Sequence, residues 1–77
     1  MSWNYRLMGL PDGPEGETIY AFHEVYYHEN GRLLGYIAEN SAPFGETLEE
    51  LTTSLDRMKE AMAKPMLTPA DFAPKAT

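Results

Sequence analysis

The sequence predicts an α+β domain: a three-stranded antiparallel sheet in β-β-β-α order, one helix packed on one face, and a Pro-rich C-terminal tail. Three observations carry this reading. Two stretches are rich in aromatic and β-branched residues that alternate with a period of two. An Asn-Gly pair separates the second stretch from another apolar run. A helix-capping phrase then opens a segment whose leucines and methionines recur every three or four residues.

Residues 3–8, WNYRLM, place Trp3, Tyr5 and Leu7 on one side and Asn4, Arg6 and Met8 on the other, as a half-buried strand requires. Residues 9–18 hold three glycines and two prolines and form a loop. Its length argues against a tight hairpin joining the first two strands. Residues 18–28, TIYAFHEVYYH, form the longest strand candidate. Asn30-Gly31 predicts a two-residue type I′ turn, because both residue types tolerate positive φ. That turn fixes a register in which Glu29 faces Arg32, His28 faces Leu33, Tyr27 faces Leu34, Val25 faces Tyr36 and His23 faces Ala38. The third strand is read as 33–39.

After NSAPFG at 40–45, Thr47 and Glu50 form a capping box. Leu48, Leu51, Leu55, Met58 and Met62 follow at spacings of three and four, one apolar stripe of a helix over 47–63. Lys64-Pro65 ends it, because the residue before proline is driven out of helical space. Thr68-Pro69-Ala70-Asp71 predicts one isolated helical turn capped by Thr68. The chain is thus read as a single domain over 1–64 with a Pro-rich tail over 65–77.

At 77 residues and 8.7 kDa the chain supports one modest core. It has no cysteine, which excludes thiol catalysis, Cys-ligated zinc and iron–sulfur clusters, and fits a reducing compartment. Twelve acidic against six basic residues give a net charge of −6, which disfavours the phosphate backbone of nucleic acids. Neither a signal peptide nor a membrane span is apparent, so a cytoplasmic location is expected.

The stretch AFHEVYYHEN, 21–30, begins like the H-E-x-x-H zinc motif. Its histidines, His23 and His28, are five residues apart. On a helix that spacing turns them roughly 140° from each other, and on a strand it sends them to opposite faces. Glu24 and His28 share a face but lie about 13 Å apart along a strand. No zinc site follows, and His23 reads as a semi-buried strand residue. No nucleophile elbow, P-loop or dinucleotide fingerprint occurs. The expectation is a non-enzymatic protein without a metal or cofactor.

The sheet is more informative. The predicted register gives one face of Ile19, Ala21, His23, Val25, Tyr27, Leu34, Tyr36 and Ala38. The other carries Tyr20, Phe22, Glu24, Tyr26, His28, Leu33 and Ile37. One amphipathic helix covers one face of a small sheet. The Val25 face is the expected core beneath the helix. The second face then offers Tyr20, Phe22, Tyr26, His28, Leu33 and Ile37 as a partner-binding surface, unless Met66, Leu67 and Phe72 of the tail close over it. An aromatic face also suits single-stranded RNA, but such platforms need a basic surround that this acidic chain lacks.

The run W-N-Y-R at 3–6, H-E-V-Y-Y at 23–27 and G-E-T-L-E-E-L at 45–51 resembles a group of small, uncharacterised bacterial proteins that share this layout over nearly the whole chain. The resemblance implies a bacterial, stand-alone protein and brings no activity with it. The Gly-x-Thr-x-Glu-Glu phrase (Gly45, Thr47, Glu49, Glu50) is also similar to the helix start of HicB-type antitoxin domains. The fourth strand and DNA-binding segment of many HicB proteins have no counterpart here. The expected function is therefore an acidic protein-interaction module, self-associating as a homodimer through the aromatic face or strand 1. The alternative is an antitoxin-like or anti-CRISPR-like inhibitor that occupies a basic, nucleic-acid-binding surface of a partner.

Overall fold

The computed structural model describes residues 1–72 and has the expected class: strands β1 (Ser2–Leu10), β2 (Ile19–Tyr27) and β3 (Leu33–Tyr36), helix α1 (Leu48–Met62) and a short 3₁₀ turn, η1 (Pro69–Phe72). The strands form one antiparallel sheet in the order β1-β2-β3. Strands β1 and β2 pair over nine residues, from Ser2 opposite Tyr27 to Leu10 opposite Ile19. The intervening loop does not keep them apart, because it is itself folded. The Gly13 amide donates to the Glu17 carbonyl at 3.0 Å and the Gly16 amide to the Gly13 carbonyl at 2.9 Å.

The turn between β2 and β3 repeats that geometry. The His28 amide donates to the Arg32 carbonyl, and the Gly31 amide to the His28 carbonyl. In both loops the third residue is a glycine in the left-handed region, Gly16 at φ 81° and Gly31 at φ 84°. These are three-residue hairpin loops, Pro14-Glu15-Gly16 and Glu29-Asn30-Gly31, whose glycine closes the loop at positive φ. The predicted two-residue type I′ turn is corrected accordingly: Asn30 stays at negative φ, as does every described non-glycine residue. Its side-chain oxygen instead accepts from the Arg32 amide at 3.0 Å.

The extra loop residue displaces the register near the turn, so Tyr27 faces Leu33 and not Leu34. An irregularity between Tyr26 and Tyr27 absorbs the difference, and Val25 faces Tyr36 as predicted. This bulge carries Leu33 to the opposite face, where it packs on the core, and leaves Leu34 45% exposed.

The two faces are covered in the reverse of the expected way. The Val25 face is the core, but its cover is the C-terminal segment and not the helix. Met8, Leu10, Val25 and Leu67 form one buried cluster, with Tyr27, Leu33, Tyr36 and Phe72 packed around it. Leu67 pairs with Met8 in a parallel bridge: its amide donates to the Leu7 carbonyl, and the Gly9 amide donates to the Leu67 carbonyl, both at 2.9 Å. The chain thereby closes the outer edge of β1 and delivers Phe72 onto Tyr36, with ring centroids 4.9 Å apart. Thr68 and Asp71 hold the turn together, the Thr68 amide donating to Asp71 Oδ2 at 2.7 Å. Residues 65–72 are therefore part of the packed body; the rest of the tail, 73–77, lies outside the described residues.

Helix α1 lies on the other face, and its contacts with the sheet are concentrated on β1. Thr47 is the N-cap and accepts from the Glu50 amide at 3.1 Å. The Glu50 carboxylate reaches back as expected, but one residue further, to the Glu46 amide at 2.8 Å.

Candidate functional site

The helix is rotated away from its apolar stripe. Its buried residues are Ser54, Met58 and Ala61, at spacings of four and three. Of the five leucines and methionines that define the stripe, only Met58 is among them. Leu48 is 82% exposed, Leu51 38%, Leu55 42% and Met62 60%. At ~100° per residue, the centre of burial lies roughly 70° from the centre of the stripe. Small Ser54 and Ala61 explain the choice, since they allow the helix backbone closer to β1 than leucines would. The Ser54 hydroxyl also accepts from the Phe44 amide at 3.4 Å. Gly45 fixes the approach to the helix, because a Cβ there would lie 2.6 Å from the Leu51 nitrogen.

The opposite, polar flank of the helix faces the aromatic start of β1. Arg57, Glu60, Ala61 and Lys64 share a groove of about 300 Å³ with Trp3, Asn4 and Tyr5. Trp3 meets Tyr5 edge to face, with centroids 5.3 Å apart, and lies 6.5 Å from Tyr26. On the apolar flank Leu51 and Leu55 are partly covered, while Leu48 and Met62 at its two ends are more exposed.

The six residues expected at a partner surface divide. Tyr20 and Ile37 are exposed at 64% and 43%, and His28 is exposed beyond the end of β2. Phe22 and Tyr26 remain on the helix-side face but are half-buried. Tyr26 is partly covered by Trp3, and its hydroxyl donates to Glu24 Oε1 at 2.9 Å. That hydrogen bond, then burial and the Glu24 charge, raise the Tyr26 phenol above its ordinary 10.0. Leu33 belongs to the other face and to the core, so it is removed from the surface. Sequence reasoning placed Leu48, Leu51, Leu55 and Met62 in the core. The only signal against that was the Ser54/Met58/Ala61 triplet, a narrower strip of small residues on the adjacent face of the helix.

His23 is 1% exposed, with Nδ1 2.9 Å from the Ile37 carbonyl oxygen and its ring edge-on to Tyr36. Among the described residues no group of three or more histidine or carboxylate side chains is placed to hold a metal ion. None of the described helices is long and apolar enough to cross a membrane. The exposed apolar surface consists of the leucine/methionine flank of α1, with Tyr20 of β2 and Ile37 after β3, and is suited to burial against another apolar surface.

No protein-family model, curated protein or solved structure matches this chain.

Proposed function

We propose that this protein is a non-enzymatic interaction module whose binding surface is centred on the outer stripe of α1. The observation that carries the reading is the exposure of Leu48, Leu51, Leu55 and Met62 on one flank of a well-capped helix. Scattered exposed apolar residues need no explanation, whereas a row of four at helical spacing is the pattern of a partner face. Tyr20 of β2 and Ile37, just after β3, add further exposed apolar surface.

A second reading draws on charge. Glu46, Glu49 and Glu50 surround the helix start beside exposed Leu48 and Phe44, which is 73% exposed, in a chain of net charge −6. That end suits a basic surface on a partner, as an inhibitor of a nucleic-acid-binding protein would need. Its mark is binding that weakens steeply between low and high salt.

The first reading is tested by a Leu51→Lys/Leu55→Lys variant. Surface substitutions usually change stability by no more than about 0.5 kcal/mol each, so the variant is expected to melt within a few degrees of the parent. Loss of the cooperative fold would show the stripe to be core and overturn the reading.

A further inference from the structure

We infer that the first half of the β1 edge is a separate binding surface, which takes an extended acidic peptide segment as an added strand. It lies beside the flank of α1 opposite the leucines and does not depend on the reading above.

The outer edge of β1 is closed only in its second half. Leu67 bonds to the Leu7 carbonyl and the Gly9 amide, so residues of that parity turn their backbone groups outward. The other side of β2 agrees: Phe22 and Glu24, opposite Leu7 and Tyr5, turn their carbonyls away from β1 to the Ser41 and Ile37 amides. Trp3 and Tyr5 share the outward parity. Among the described residues no other segment bonds to their backbone along this edge. Two residues before Leu67 stands Pro65, which has no N–H with which to carry the ladder on to Tyr5. An edge that already accepts one extended segment therefore leaves the amides and carbonyls of Trp3 and Tyr5 for another.

The side chains beside this stretch define what the segment carries. Trp3 and Tyr5 share their groove with Arg57, Glu60 and Lys64, two cations against one carboxylate, in a chain whose acidic residues outnumber its basic ones by twelve to six. Asp56 is not among its walls, and Glu49 and Glu50 border a separate cleft that Arg57 also lines. At ~100° per residue Arg57 is turned roughly 40° from buried Ala61 and Glu60 roughly 100°. The cation therefore lies nearer the strand and the carboxylate at the outer rim. An added strand sends every second side chain to this face, where its carboxylates meet Arg57 and Lys64 beside the Trp3 ring. A second copy of β1 is a poor match, because SWNYRLMGL contains no acidic residue. The edge of β3 is a poor alternative, being four residues long and adjoining a bulge.

The test titrates the capped peptide Glu-Val-Glu-Val-Glu into the nitrogen-15-labelled full chain at low salt. The Trp3 and Tyr5 amides are expected to shift, with a dissociation constant below about 1 mM. Lys64→Glu, an exposed substitution, is expected to weaken binding at least ~10-fold, as is raising the salt to about 0.5 M. The peptide Lys-Val-Lys-Val-Lys, and the acidic peptide with every backbone nitrogen methylated so that it has no donors, are expected not to bind. No shift at Trp3 and Tyr5 with the acidic peptide at about 5 mM overturns the proposal. Shifts centred on β3, or equal binding by the lysine peptide, the methylated peptide or the Lys64→Glu chain, overturn it as well. Trp3 and Tyr5 amides that shift when the chain alone is concentrated assign the edge to a second copy and overturn it too.

Discussion

Leu67 stands directly opposite Met8 in a parallel bridge, although the whole of the sheet and the helix separates them in sequence. Leu67 is 8% exposed and Met8 fully buried, so this contact seals one face of the sheet. Leu67→Ala is expected to cost about 2–4 kcal/mol, the usual range for a large-to-small core change. Leu48→Ala, on the helix where the side chain is 82% exposed, is expected to cost under about 0.5 kcal/mol. Urea denaturation of both variants checks the contrast, and a larger loss for Leu48→Ala would contradict the packing described.

Gly45 holds the segment that precedes α1 against the first turn of the helix. A methyl group there would lie 2.6 Å from the Leu51 nitrogen and 2.8 Å from the Glu50 carbonyl carbon, and backbone atoms cannot swing aside. Gly45→Ala is expected to destabilise the fold by about 1–3 kcal/mol, as overpacking does. Gly35→Ala, where the added carbon meets nothing within 4 Å, is the control and should be close to neutral. Thermal melts of the two variants separate a steric cause from a general intolerance of alanine.

The order of elements, the helix ends and the central pairing of Val25 with Tyr36 could be read from the residues. Local signals carry each of these: alternation, a threonine cap with its glutamate, and a lysine before proline. The covering of the faces could not. Sequence periodicity ranks residues by hydrophobicity, whereas the helix docks where Ser54 and Ala61 let it approach, and that rotation leaves the leucines outside. The tail was misjudged for a related reason. Met66 and Leu67 stand between two prolines with no period to show which face they cover, and the burial of Leu67 depends on a strand edge far away in sequence. Of the partner surface, Tyr20 and Ile37 stand exposed, while Leu33 moved because one extra loop residue changes the face of its neighbour.

The Tyr26 hydroxyl donates to Glu24 Oε1, and this bond requires the neutral phenol. The folded-state value is raised, so the stabilisation is fully present below the ordinary 10.0 and is lost as pH rises through the higher folded value. An ultraviolet titration of the phenolate should therefore show one tyrosine ionising later than 10.0, and Glu24→Gln should move it back toward that value. Tyr26 ionising at or below 10.0 in the parent chain would contradict the bond.

His23 carries the last prediction. Its Nδ1 lies 2.9 Å from the Ile37 carbonyl oxygen, and a carbonyl only accepts, so Nδ1 must hold a proton. The neutral ring is then the Nδ1–H tautomer, with its lone pair on Nε2. Nitrogen-15 spectra of the imidazole should show this tautomer for His23, while exposed His28 should show no such constraint. His23→Leu removes the donor but keeps an apolar side chain beside Tyr36. It is expected to cost about 1–3 kcal/mol, the range for leaving a buried polar partner unsatisfied. An Nε2–H tautomer at His23, or a leucine variant as stable as the parent, would mean that the ring serves only to fill space. The opposite result would make His23 the link between β2 and the strand-like run that follows β3, where Ile37 also donates its amide to the Glu24 carbonyl at 3.0 Å.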